Sequence, residues 1–221
     1  MQFPQNVKKA SGSNLNMQRQ VVLSKIPTHP PKRIDRIQAK SETVKLVNRI
    51  GVLQYKLYAE RNQALLVVLQ GMDASGKDGA IKNVFDSCNP SGVRVTAFKR
   101  PTEEEFAHDF LWRVHKEVPQ KGMVQIFVRS HYEDVLIQRV HKWISEERAF
   151  ERIEAINSFE NLLLFDNSTV VLKFYLHISR EQQRKELQER FDDPEKQGST
   201  TRTIGRKLNC GTITCAVTRT P

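Results

Sequence analysis

The segment Gly71-Met-Asp-Ala-Ser-Gly-Lys77 has a spacing suited to holding phosphate: a glycine, four residues, a glycine, a lysine. Glycines let backbone N–H groups turn inward around an anion. A helix starting there adds the positive end of its dipole, and Lys77 adds a mobile cation. An apolar run over 64–70 precedes the loop and a helical pattern over 78–88 follows it, so the context is strand, turn, helix. Gly71, Ala74, Ser75, Gly76, Asp78 and Gly79 form the expected cradle. Asp78 stands where many such loops carry a Ser or Thr hydroxyl for Mg²⁺. Asp73 offers a carboxylate instead, because Mg²⁺ takes one or two carboxylates together with phosphate oxygens. The same aspartate could also be a turn residue bonding its own loop.

A second candidate follows the apolar run 123–128. Arg129 would emerge at the carboxyl end of that strand, where ligands of parallel sheets bind, and its guanidinium could clamp phosphate oxygens as charge builds. The alternative is a surface ion pair. A long polyanion needs several cations along its path. Lys82, Lys99 and Arg113 are placed in the phosphate-binding set, with Arg100, Lys116 and Arg139 as further candidates. His108, His115, His131 and His141 match no zinc spacing, so packing or phosphate contact is expected of them.

The elements that must position these groups alternate. Helices are expected over 39–60, 78–88, 103–117, 132–143, 148–164 and 179–191, and strands over 64–70, 93–98, 123–128 and 169–178. Leu46, Ile50, Leu53 and Leu57 make one apolar helical face. Thr102 with Glu105, and Ser179 with Gln182, have the capping-box spacing. Alternation of this kind predicts an α/β fold with a mainly parallel sheet flanked by helices.

Composition narrows the classes. The chain has 221 residues, 38% hydrophobic and 27% charged, enough for one α/β domain with a full core. No apolar run approaches a membrane span and the N-terminus lacks the apolar region of a secretory signal, so a cytoplasmic protein with no membrane partner is expected. Three cysteines form no disulfide or metal framework. The net charge of +10 favours polyanions. Nucleic acid is not the expected one, since no recognition motif with interleaved aromatics is present.

At these residues the chain resembles the polyphosphate kinase 2 family. The resemblance runs from about Lys32 to Gln197 in ordered segments: LYAERNQALLVVLQGMDASGKDG, the Phe98-Lys99-Arg100-Pro101-Thr102 turn, HDFLWRVHKEVP, RSHYEDVL, INSFENLL and LHISREQQ. It implies a P-loop kinase-like core with a helical lid beginning near 180. It also implies transfer of phosphate between inorganic polyphosphate and AMP or ADP with Mg²⁺, and a homo-oligomer. Asp73, Lys77 and Arg129 would be the catalytic residues, with Asp73 on the metal. The expected organisation is an N-terminal arm over 1–37, the family domain over 38–197, and a tail over 198–221. Two departures bear on activity. Val128 stands where the family pattern has Asp or Asn. After Gln197 the chain reads GSTTRTIGRKLNCGTITCAVTRTP, basic and without acids, which suggests a shifted reading frame, an incomplete lid, a disordered tail and a sheet face left open. A catalytically weak polyanion-binding remnant is therefore the alternative to an active phosphotransferase.

Overall fold

The computed structural model describes residues 23–192. The expected tail over 198–221 and most of the arm, through 22, lie outside the described residues. After a 3-10 turn at Leu23–Lys25 come α1 (Arg36–Glu60), β1 (Ala64–Gly71) and α2 (Lys77–Val84). Next are β2 (Val93–Ala97), α3 (Glu103–Ala107), α4 (Trp112–His115) and β3 (Val124–Val128). The chain continues through α5 (Glu133–Val140), α6 (Glu146–Asn167), β4 (Thr169–Leu176) and α7 (Arg180–Asp192). The four strands form one parallel sheet in the order β2-β3-β1-β4.

The order follows from burial. β1 is the continuous apolar run and lies inside the sheet, with β3 on one side and β4 on the other. Its alternate side chains feed two cores. Leu66 and Val68 join Phe98, Val114, Phe127, Val135, Ile156 and Phe159 on the face covered by α4, α5 and α6. Val67 and Leu69 join Val124 and Ile126 on the opposite face, under Leu57 of α1, Ile81 of α2 and Phe85 just after it. Leu66, Ile126 and Phe127 are fully buried, each worth about 1.5–3 kcal/mol of apolar transfer. One opposite-face stripe stays open: Val170, Leu172 and Phe174 alternate along β4 and remain about half exposed.

Connections set where chemistry can happen. β1 sends the chain past β3 to β2, whereas β3 sends it past β1 to β4. The loops leaving β1 and β3 therefore diverge to opposite sides and open a crevice between the carboxyl ends of these two neighbours.

Local chemistry explains where the observed elements differ from expectation. The helix expected over 103–117 is two pieces. Its start is as read, with the Thr102 hydroxyl accepting from Glu105 N at 3.2 Å and the Glu105 carboxylate accepting from Thr102 N at 2.8 Å. It breaks because Asp109 Oδ1 accepts from Leu111 N at 2.9 Å, an Asp-based turn that competes with helix bonding. Helix α1 starts earlier than expected because Asp35 caps it, accepting from the amides of Ile37 and Gln38 at 3.2 Å each. The helical stripe on α1 is only partly covered, with Leu46 and Leu53 about half exposed. Contact concentrates further along, where buried Gln54 accepts from Asn89 N at 3.1 Å.

Gly51 permits that docking. A Cβ built there would lie 2.4 Å from the backbone oxygen of Ser87. Alanine would favour the isolated helix by about 1 kcal/mol, but the obstacle is backbone and must shift, at about 1–3 kcal/mol. Gly51→Ala is therefore expected to lower the melting temperature by a few degrees, measured by circular dichroism. An unchanged or higher value would contradict the close approach of α1.

Candidate active site

The loop between β1 and α2 turns through backbone conformations that its sequence provides. Gly76 has φ +85° and no side chain to cap α2, so the first helical N–H groups, those of Lys77, Asp78 and Gly79, remain for an outside acceptor. Gly71 is needed for close approach, since a Cβ there would meet the Ser75 hydroxyl at 2.6 Å and the Leu176 carbonyl at 2.8 Å. Ala74, also left-handed at φ +62°, and Ser75 are buried inside the turn. Lys77 closes it: Nζ donates to the carbonyls of Gly71 at 2.9 Å and Met72 at 2.8 Å, and to Ser75 Oγ at 3.3 Å. Burial, and next the nearby Arg129 charge, push the Lys77 pKa below its ordinary value.

Arg129 follows β3 and reaches across the crevice to form an ion pair with Asp73. Its backbone is left-handed at φ +60°, and its N–H donates to the Leu69 carbonyl at 3.0 Å, which ties the turn to the end of β1. Thus Asp73, Lys77 and Arg129, singled out from sequence, converge at the point where the strand connections diverge. From α7, Gln183 Nε2 donates to the Asp73 carbonyl at 3.0 Å, so the helix where the lid was expected to begin touches the loop.

The outer cations are placed differently. Lys99 is exposed in the turn after β2, at the same carboxyl end of the sheet. Lys82 is exposed on α2, beyond the loop. Arg113 corrects the sequence reading. It is buried, donating to Asp134 Oδ2 at 2.9 Å and to the Lys99 carbonyl at 2.8 Å, with Glu105 at 3.5 Å. A guanidinium so committed holds the Lys99 turn and α5 rather than reaching a ligand. The histidines pack: His108 stacks on Trp112, His141 on Trp143, and His115 meets the Phe159 edge.

Two carboxylates escaped sequence reasoning. Glu133 opens α5 behind Arg129. Burial raises its pKa against the opposing pull of Arg129 and Lys77, and the Gln70 amide, oriented to satisfy both partners, donates to it at 3.1 Å while accepting from Ser130 Oγ at 2.8 Å. The only signal was an acid in the first turn after the Arg-Ser pair. Glu160, on α6, lies under the same turn. Its Oε1 accepts from Tyr132 at 2.9 Å and meets His131 Nε2 at 3.2 Å, and its Oε2 accepts from Lys173 at 2.7 Å. Burial alone would raise the Glu160 pKa, but hydrogen bonds from His131, Lys173 and Tyr132 outweigh it and hold the value at about 2. Glu160 lies in the INSFENLL segment, but nothing in the sequence gives it a role, because its partners come from two other elements.

Comparison with known proteins agrees with this architecture. The family model for Polyphosphate kinase 2 matches residues 33–203. An AMP/ADP-polyphosphate phosphotransferase of Meiothermus ruber is 54% identical over 160 residues, covering 72% of this chain and 60% of that protein. An ADP-polyphosphate phosphotransferase of Rhodopseudomonas palustris is 41% identical over 162 residues, covering 68% of this chain and 56% of that protein. The chain thus spans less than two thirds of the length of either relative. The crystal structure of Polyphosphate Kinase 2 from Arthrobacter aurescens superposes with a TM-score of 0.83 at 37% identity, covering 91% of this chain and 73% of that one. Among the described residues, no helix is long and apolar enough to cross a membrane.

The low Glu160 pKa carries a stability signature. A carboxylate depressed from 4.5 to about 2 stabilises the fold above its ordinary value and loses that contribution as pH falls from 4.5 towards 2. Urea unfolding from pH 6 to pH 2 is expected to lose stability through this window, and Glu160→Gln to flatten that part of the curve. Parallel curves for the two proteins would contradict the assignment.

Proposed function

This chain belongs to the polyphosphate kinase 2 family, and from that premise we propose that it moves phosphoryl groups between inorganic polyphosphate and AMP or ADP. The observation that carries the reading is the meeting of Asp73, Lys77 and Arg129 above an uncapped helix N-terminus, at the crevice between β1 and β3. Phosphoryl transfer asks a protein mainly for positioning and charge neutralisation, and these groups supply both.

In this reading the loop amides and Lys77 hold the end of the polyphosphate chain. A terminal phosphate oxygen of the nucleotide attacks the terminal phosphorus. The new P–O bond forms as the bond to the rest of the chain breaks, and the shortened polyphosphate leaves with the electron pair. Run in reverse, the same steps lengthen the chain at the expense of the nucleotide. Arg129 exchanges part of its pairing with Asp73 for contact with the transferring oxygens, where a preorganised cation is most effective. Lys77 likewise exchanges the Gly71 and Met72 carbonyls for phosphate oxygens. Lys99 at the rim steers the polyanion.

The donor set suits a hard divalent cation. Asp73 is a partly exposed carboxylate on the phosphate loop, and Mg²⁺ is held by one or two carboxylates with phosphates and waters completing its shell. Held by Asp73, Mg²⁺ would neutralise charge on the phosphates between which transfer occurs. Glu133 is set deeper and already accepts from the Gln70 amide, so Asp73 is the more open carboxylate. Val128 puts an apolar group at the end of β3, which leaves Asp73 as the metal-holding side chain there.

Purified protein, given polyphosphate and AMP or ADP with Mg²⁺, is expected to form ADP or ATP, measured by chromatography. Asp73→Ala and Lys77→Ala should each lower kcat by about 10²–10³. Absence of product above the Asp73→Ala background would reject phosphotransfer and favour simple polyanion binding. Transfer from ATP with no need for polyphosphate would point to an ordinary nucleotide kinase.

A further inference from the structure

We propose that Glu160 is a positioning residue for the reaction: acting through His131 and Tyr132, it holds the turn that presents Arg129 to Asp73. The inference rests on the role given to Arg129 above and adds a residue outside the crevice.

Arg129 adopts a left-handed backbone, which a residue with a side chain keeps only where its neighbours over-determine it. On the strand side, the determinants are the β3 ladder and the bond from Arg129 N to the Leu69 carbonyl. On the other side the chain passes through Ser130, which is fully buried and accepts from Tyr132 N at 3.2 Å. It then reaches His131 and Tyr132, both of which end on the one carboxylate of Glu160. Lys173 of β4 completes the cluster, donating to Glu160 Oε2 at 2.7 Å and to the Tyr132 hydroxyl at 3.1 Å.

The anchor is rigid where it needs to be. Glu160 belongs to α6, and its neighbours Ile156, Phe159 and Leu163 are buried in the core under the sheet. The cluster therefore fixes the arginine turn to a packed helix and to β4 at once. Its chemistry is also unlike simple core filling. A carboxylate is costly to bury, and an apolar residue of similar volume is often as good or better for stability. What a carboxylate supplies is directed acceptors: two oxygens, aimed at three donors on two other elements. A misplacement of about 1 Å at a phosphate-clamping group can reduce turnover about 10²-fold, so fixing this turn matters to rate.

The test is a double-mutant cycle between Glu160→Ala and Arg129→Ala, by steady-state kinetics of the polyphosphate reaction at a temperature where every variant is folded. Glu160→Ala is expected to lower kcat about 10–100-fold with the polyphosphate KM within about threefold of wild type. Because Glu160 acts through Arg129, the double variant should be no slower than Arg129→Ala alone. Glu160→Gln, which keeps an acceptor for Tyr132, should recover part of the loss. Two results would overturn the proposal: wild-type kcat in folded Glu160→Ala, or losses that multiply in the double variant, as for a merely structural effect. If Glu160→Ala does not fold, Tyr132→Phe takes its place in the cycle, with a smaller fall in kcat expected and unchanged kcat overturning the proposal. Wild-type kcat in Arg129→Ala would remove the reading of Arg129 itself, a failure distinct from that of Glu160.

Discussion

An ammonium group folded back onto its own loop organises this molecule. Lys77 is buried beside a positive guanidinium, where a cation is poorly solvated, and it is held by the carbonyls of Gly71 and Met72. Those bonds keep the loop closed over the start of α2, with the helix amides facing out and no side chain capping them. Anionic phosphate is the natural partner of such a group, since it answers both the buried charge and the open amides. The strand before the loop, the helix after it and the sheet order exist, in functional terms, to keep that arrangement rigid.

Charge is balanced across the crevice. Lys77 and Arg129 stand against Asp73 and Glu133, and each side chain has at least one opposite charge nearby. The supports behind it are also ionic. Asp134 with Arg113 fixes α5 from one side, and Glu160 with His131, Tyr132 and Lys173 fixes it from the other. The turn after β3 that carries Arg129 is thus held by buried polar contacts, whose directionality apolar packing cannot supply.

Much of this could be read from the sequence, and the limits have physical causes. The strand–turn–helix around the loop was legible because its backbone turns need glycines at fixed local spacing. β1 was legible because a strand covered on both faces must be apolar throughout. The caps at Thr102 and Ser179 were legible because they act within three residues. Asp109 broke a helix through an equally local bond, but the capping-box spacing at Thr102 and Glu105 marks only where a helix starts, not where it ends. Arg113 looked like a ligand-facing cation, because nothing local reveals that Asp134 lies against it. Glu160 was invisible for the same reason: its partners are brought by the fold from the β3 turn and from β4. Charge types are readable in sequence, whereas charge partners are set by tertiary contact.

The central claim is that the amides at the start of α2, with Lys77, bind condensed phosphate. It is tested most directly by titrating isotopically labelled protein with tripolyphosphate and following backbone amide resonances. The account predicts saturable shifts concentrated at Gly76, Lys77, Asp78 and Gly79, abolished by Lys77→Met while the rest of the spectrum stays folded. Saturable binding that leaves those four resonances unmoved and instead shifts residues around exposed cations such as Lys82 would contradict it.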